Sequence, residues 1–190
     1  MSHAYDRIWF YSGQGRMKKD TSRLSNTLGA LATGLSDRIH AAVDLRTSLR
    51  GEAAAALIVI GHAPGLSIDQ LGKVSGLSHP GAVRMVDRLV AAGFAQRTPA
   101  ASDRRAIALH LTSAGESERA AILEARRVAI ESVLSHVPPA DHLALERLVE
   151  AMLVSMPSDA TSAMGVCRLC NQDACANCPM DAFGALCPRT

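Results

Sequence analysis

The sequence predicts a mainly α-helical fold with one small β-hairpin. Aromatic residues make up only 3% of the 190 residues, so the core must be built from aliphatic side chains and alanine. Such a composition favours packed helices over a β-sandwich. Several segments repeat apolar residues at three- and four-residue steps, whereas one short run alternates apolar and polar residues, as a half-buried strand does.

The first element is one long helix, predicted from Asp20 to Leu49 after an arm of residues 1–19 that shows no apolar period. Asp20 or Thr21 can cap its start. Apolar residues at three- and four-residue steps form a stripe along this helix, which consists of Leu24, Leu28, Leu31, Leu35, Ile39 and Val43. The stripe is longer than one small partner can cover, which indicates packing between subunits. The alternative is that the stripe covers its own domain.

A pair of short helices follows an apolar helix predicted over residues 51–61. Ser67 is placed to cap a helix that ends at Val74. After a turn, Ser78 is placed to cap a second helix, and Gly93 ends that helix because glycine adopts the left-handed conformation of a C-terminal cap. The order helix, turn, helix in so few residues predicts a helix-turn-helix.

Two extended runs, residues 94–98 and 107–111, predict a hairpin with a polar tip over residues 99–105. Ser113 and Glu116 are spaced as a capping box for the next helix.

This helix is expected to span residues 114–135 and to be followed by a break at Pro138-Pro139. A last helix is expected over residues 140–155. Residues 157–165 are predicted to be a polar linker.

The second helix of a helix-turn-helix enters the major groove of DNA, where its early residues meet base edges. Val83, Val86, Leu89 and Val90 form its predicted inward stripe, and Ala82 is expected to face outward. Paired arginines at the tip of the hairpin suit the narrow minor groove. The alternative is a solvated charged face. The candidate DNA-binding residues are Ser78, His79, Gly81, Arg84, Arg88, Arg97, Arg104 and Arg105.

Two motifs resemble the MarR-type regulators. The stretch from Asp103-Arg104-Arg105 to Leu111-Thr112-Ser113-Ala114-Gly115 is similar to that family's wing, and Leu71-Gly72 … Gly76-Leu77-Ser78 … Asp87-Arg88-Leu89 … Gly93-Phe94 is similar to its helix-turn-helix. The resemblance implies a winged helix-turn-helix homodimer on a pseudo-palindrome, with Arg105 in the minor groove and Asp103 bracing the wing. It also implies repression of a neighbouring gene, a small-molecule, metal or oxidant effector, and no enzymatic activity.

All five cysteines lie in residues 167–190, in a tail that departs from the usual ending of that family. Two Cys-x-x-Cys pairs can close a tetrahedral zinc site, although a proline after a cysteine is also typical of iron–sulfur ligands. Reactive thiols without a metal are the third reading. We expect zinc first, with an iron–sulfur cluster as the alternative. The candidate ligands are Cys167, Cys170, Cys175 and Cys178, with Cys187 as a fifth.

Charge and hydropathy indicate where the chain acts. Residues 1–115 hold 14 basic against 8 acidic side chains, and residues 116–190 hold 6 against 10, so the first part is suited to a polyanion. The longest apolar run, residues 53–60, is too short to cross a membrane. We therefore expect a cytoplasmic protein without a membrane partner.

These observations divide the chain into five parts. They are an N-terminal arm (1–19), a dimerisation helix (20–50), a winged helix-turn-helix domain (51–115), C-terminal dimerisation helices (116–156) and a cysteine-rich metal-binding tail (157–190). The predicted function is a sequence-specific transcriptional regulator that binds double-stranded DNA as a homodimer. The alternative is a metal-binding or redox-sensing protein whose winged domain serves as an interaction scaffold.

Overall fold

A computed structural model describes residues 17–49, 51–100, 106–175 and 177–184, with side chains from residue 22 onward. The predicted mainly helical fold with a small antiparallel hairpin is confirmed, and short 3-10 turns join the later elements. The elements of the described ranges are α1 (Met17–Arg46), α2 (Glu52–His62), α3 (Ile68–Val74), α4 (His79–Ala91), β1 (Ala95–Pro99), β2 (Ile107–Leu111), α5 (Ser113–Leu134), α6 (His142–Leu153) and α7 (Ala160–Val166).

The long helix α1 already begins at Met17, so the expectation that Asp20 or Thr21 caps it is wrong. The chain divides into two compact units, Met1–Asp37 and Arg38–Thr190. In the second unit, Val43 is buried and Ile39 packs against the core. In the first unit, three leucines of the predicted stripe are exposed, namely Leu24, Leu28 and Leu31. The end of the stripe therefore covers its own domain, and its beginning is left uncovered.

The centre of the second unit is α2, in which residues 53–60 are all buried. A helix that is apolar on every side is stable only when other elements surround it. Here α3, α4, α5 and β2 all pack against α2. This central helix therefore fixes the positions of the elements that form the two candidate sites.

The two helices after α2 have the predicted boundaries. The Ser67 hydroxyl accepts a hydrogen bond from the Gln70 amide, and the Gln70 side chain accepts one from the Ser67 amide, so the predicted Ser67 cap is part of a capping box. Ser78 occupies the N-cap of α4, but its side chain makes no capping bond. Gly93, with φ of 75°, and Phe94 donate amide hydrogen bonds to Val90 and Leu89, as a glycine-ended helix requires.

The hairpin pairs Ala95 with Leu111 and Pro99 with Ile107. Its base is closed by Thr112, whose amide donates to the Phe94 carbonyl at 3.0 Å. The Thr112 hydroxyl accepts from the Gly115 amide and so caps α5. The capping box predicted from Ser113 and Glu116 is therefore wrong by one residue. A methyl group on Gly115 would overlap the carbonyl oxygen of Phe94, so the junction has no room for a side chain.

Residues 157–165 are not the predicted linker, because most of them form α7. The Asp159 carboxylate accepts from the Ser162 amide at 2.7 Å, and the Ser162 hydroxyl completes a capping box. This bond is the largest cause that holds the pKa of Asp159 below its ordinary value. Among the described helices, none has the length and apolar character needed to span a membrane.

Candidate nucleic-acid interface and cysteine module

Helix α4 carries an exposed basic face opposite its buried face. Ser78, His79, Arg84 and Arg88 are exposed, and Gly81 is half-buried. The buried face consists of Ala82, Met85, Val86 and Leu89, with Val83 and Val90 half-buried at its edge. The polar residues predicted to contact DNA thus lie together on one side of the helix.

Ala82 is a correction, because we expected it to face outward and it is fully buried. A Cβ atom built on Gly72 of α3 would stand 3.2 Å from the Ala82 side chain. The two helices therefore cross closely through two small residues. This crossing couples the position of α4 to that of α3.

Two exposed side-chain contacts orient residues of the interface. His79 Nδ1 lies 2.6 Å from the Asp69 carboxylate of α3, and Arg97 of β1 lies 2.6 Å from the Asp87 carboxylate of α4. Exposed pairs of this kind contribute little to stability. Their effect is geometric, because they hold a histidine and an arginine beside the outer face of α4.

The wing tip, which contains Asp103, Arg104 and Arg105, lies outside the described residues. Its base is described: the Gly65 amide donates to the Leu109 carbonyl at 2.8 Å, and the Leu109 amide donates to the Leu66 carbonyl at 3.0 Å. Strand β2 is therefore fastened to the loop between α2 and α3.

A second feature of the Arg38–Thr190 unit is a set of exposed large hydrophobic side chains on α5 and on α6. Where such side chains are grouped into an extensive patch, the patch marks an interaction site. Within the described part of this unit, α6 has no buried residue. The exposed side chains of the two helices are Val128, Leu134, Leu143, Leu148, Val149 and Met152.

The cysteine module, residues 160–184, folds against the winged domain. Helix α7 packs on α3, and a Cβ atom on Gly165 would stand 3.2 Å from the Val74 carbonyl. Ala163 and Met180 are buried, and Met164 and Leu169 pack against the main core.

The four described cysteines line one cavity of about 630 Å³. They form two hydrogen-bonded pairs, Cys167 with Cys170 and Cys175 with Cys178. The bond from Cys167, and then the positive charge of Arg126, lowers the pKa of Cys170 to about 6 although burial opposes this shift. Arg126 lies 3.9 Å from the Cys170 sulfur. The surroundings of Cys170 therefore favour its thiolate form.

A histidine that the sequence reasoning did not single out joins this module to the core. His62, the last residue of α2, lies with Nε2 2.7 Å from the Cys170 carbonyl and with Nδ1 3.1 Å from the Arg119 guanidinium. A guanidinium can only donate and a carbonyl can only accept. The Nε2 atom therefore carries the proton, and the ring is a fixed bridge between α5 and the cysteine loop.

The pairs do not yet form a tight ligand set. Within the described ranges, no three His, Cys, Asp or Glu side chains stand together as a group that could hold a metal ion. Cys187 lies outside those ranges. The structure thus brings the four predicted thiols to one cavity as two pairs, and the assignment of a metal stays a prediction.

Comparison with known proteins gives the fold a context. Residues 47–106 match the model of the MarR family. A search of curated proteins found no match to the sequence.

Solved structures share the fold at low sequence identity. A MarR family protein from Bacillus stearothermophilus is similar with a TM-score of 0.65 and 19% identity, over 73% of this chain and 96% of that one. MarR from E. coli is similar with a TM-score of 0.58 and 19% identity, over 68% of this chain and 96% of that one. FabT from Streptococcus pneumoniae, solved in complex with DNA, is similar with a TM-score of 0.58 and 18% identity, over 70% of this chain and 94% of that one.

Proposed function

We propose that this chain, whose residues 47–106 match the model of the MarR family, is a sequence-specific transcriptional regulator that binds a pseudo-palindromic operator as a homodimer. MarR-family proteins are transcription regulators rather than enzymes. Repression is the mode we propose, because a dimer seated on an operator blocks the access of other proteins to the same DNA.

The observation that carries this proposal is the outer face of α4. Arg84 and Arg88 are exposed on it, at spacing of one helical turn, and arginine is the side chain best suited to guanine edges and to phosphates. The first amides of α4 are not capped by the Ser78 side chain, so they are placed to bind a phosphate. The FabT complex with DNA supports this use of the fold.

Dimerisation is supported by two sets of uncovered apolar side chains. One consists of the exposed leucines in the Met1–Asp37 unit, and the other lies on α5 and α6. A second copy of the chain would bury both, and a two-fold axis would place two α4 helices on half-sites about 34 Å apart. We propose that Arg104 and Arg105 then reach the flanking backbone and minor groove.

The cysteine tail is proposed to bind a metal, with zinc as the first candidate because four thiolates suit its tetrahedral geometry. A redox sensor is the second candidate function, since the Arg126 guanidinium lies 3.9 Å from the Cys170 sulfur and the hydrogen bond from Cys167 lowers the pKa of Cys170. Hydrogen peroxide would oxidise the Cys170 thiolate to a sulfenic acid with release of hydroxide, and attack by the Cys167 thiol would then give a disulfide and release water.

Selection of ligands from a random duplex library tests the DNA-binding function. The full-length protein should enrich an inverted repeat whose half-sites are separated by about 10 base pairs. Arg84→Ala should weaken binding to the selected duplex by roughly 1–3 kcal/mol with the fold intact. Arg147→Ala on α6 is the matched control and should bind normally. Failure to enrich any sequence would contradict the proposal.

A further inference from the structure

The cysteine module is anchored to the first helix of the helix-turn-helix. Helix α7 leads directly into Cys167 and packs against α3. The approach is close, because Gly165 leaves space for the Val74 carbonyl at the end of α3, and Met164 packs into the same core as α3. A displacement of the cysteine loop therefore reaches α3 through a short rigid helix.

A second anchor joins the loop to α2 and α5. His62 donates a hydrogen bond to the backbone carbonyl of Cys170, and Arg119 donates to the other ring nitrogen of His62. Arg119 is well buried, and its Nε atom lacks a partner among the described residues. The cysteine loop is thus held by a polar bridge that runs from Arg119 through His62 to the Cys170 carbonyl.

The donor atoms in the cavity suit a soft divalent cation. Two hydrogen-bonded thiol pairs line it, and the carboxylates of Asp173 and Asp181 add negative charge at its wall. A zinc ion with four thiolates at about 2.3 Å needs neighbouring sulfurs about 3.8 Å apart. The four cysteines line one cavity but do not stand together as a ligand group among the described residues. Binding one ion therefore has to draw them together, and this movement pulls on both anchors.

We propose that zinc bound by Cys167, Cys170, Cys175 and Cys178 is the effector of this regulator, acting on α3 through α7 and on α2 through the positioning residue His62. The proposal rests on the DNA-binding function proposed above. Because α3 crosses α4 through the contact between Gly72 and Ala82, a shift of α3 changes how α4 is presented to the major groove. Zinc binding and operator binding are then coupled, and the coupling is reciprocal.

The first measurement is the metal itself. Full-length protein, purified without oxygen and stripped with a chelator, should take up one zinc ion per chain, and cobalt(II) in its place should give thiolate charge-transfer absorption. Cys170→Ser should abolish stoichiometric uptake, while Ser158→Ala, an exposed position in front of α7, should not. Retained zinc in Cys170→Ser would overturn the ligand set, and iron with acid-labile sulfide would overturn the choice of zinc.

The second measurement is hydrogen exchange with and without zinc chloride. Coupling predicts that zinc slows amide exchange in α3 as well as in residues 160–184. Protection confined to residues 160–184 would overturn the effector role and leave a structural metal site. This measurement does not depend on DNA binding.

The third measurement isolates His62. Replacing a partner that orients a metal ligand typically weakens metal binding by 10- to 100-fold. We expect His62→Ala to keep one zinc per chain, to weaken it by about 10-fold, and to lose the effect of zinc on α3 exchange. His136→Ala, an exposed histidine after α5, is the matched control. Unchanged zinc affinity and unchanged exchange in His62→Ala would overturn its positioning role.

The last measurement separates this proposal from the DNA-binding function. The affinity for the selected duplex is measured with and without zinc chloride, in wild-type and Cys170→Ser protein. The proposal predicts that zinc changes the wild-type affinity by at least about 5-fold, the lower end of usual coupling, and does not change that of the variant. Equal affinity in both forms would overturn the effector role alone. If no duplex is selected at all, the DNA-binding function fails, while the exchange data still report on the coupling.

Discussion

Gly115→Ala should destabilise the winged domain although alanine favours helices. The added methyl group would overlap the Phe94 carbonyl oxygen and stand 2.9 Å from its carbonyl carbon, where 3.4–4 Å is ordinary contact. Both atoms belong to backbone that is fixed between Gly93 and β1, so α5 has to move. That movement breaks the capping bond of Thr112 and its amide bond to Phe94, each 3.0 Å long.

The magnitude follows from three terms. Overpacking lowers the free energy of unfolding by about 1–3 kcal/mol, and loss of the cap lowers it by about 1 kcal/mol. The higher helix propensity of alanine raises it by about 1 kcal/mol. The free energy of unfolding should therefore fall by about 1–3 kcal/mol. Urea denaturation at a fixed protomer concentration measures it, since dimer stability depends on concentration.

Gly29→Ala is the matched control, because nothing lies within 4 Å of a Cβ atom built on Gly29 in α1. The same substitution should there be neutral or stabilising by up to about 1 kcal/mol. If Gly115→Ala were as stable as the wild type, the close contact between Phe94 and α5 would be refuted.

Three further predictions concern the wing, the dimer and α7. Arg105→Ala should cost roughly 1–3 kcal/mol of binding to the selected duplex, and unchanged affinity of a folded dimer would contradict the minor-groove assignment. Leu31→Glu should split or unfold the dimer in sedimentation at micromolar concentration, because it buries an unpaired charge, whereas Ser25→Glu should not. Since the pKa of Asp159 is lowered, its cap should contribute fully above the ordinary value of 3.8 and be lost as the pH falls through its folded pKa. The stability difference between wild type and Asp159→Ala should therefore close at acid pH, and a constant difference would argue against the cap.

The sequence predicts the elements well where local chemistry decides them. Ser67 and Gln70 form a capping box because their spacing alone places both donors and acceptors. Gly93 ends α4 for a similarly local reason, the left-handed conformation at a C-terminal cap. The exposed basic face of α4 follows from helical periodicity, and the pairing of β1 with β2 follows from the alternating run in β2.

Other features depend on tertiary contacts that periodicity does not encode. Ala82 is buried because α3 crosses α4 at Gly72, and a single alanine carries no sign of that crossing. Helix α7 is short, and its capping box uses Ser162 where glutamate or glutamine is usual, so the segment reads as a polar linker. His62 ends α2, and nothing in the sequence connects it with Cys170, 108 residues later.

The proposal that α4 reads a specific DNA sequence is tested by a salt titration of binding to the selected duplex and to a scrambled duplex. Phosphate contacts release counterions, so the logarithm of affinity should fall linearly with the logarithm of salt concentration for both duplexes. At physiological salt, the selected duplex should bind about 1,000-fold or more tightly than the scrambled one. Equal affinity for the two duplexes, or affinity that does not change with salt, would contradict the account.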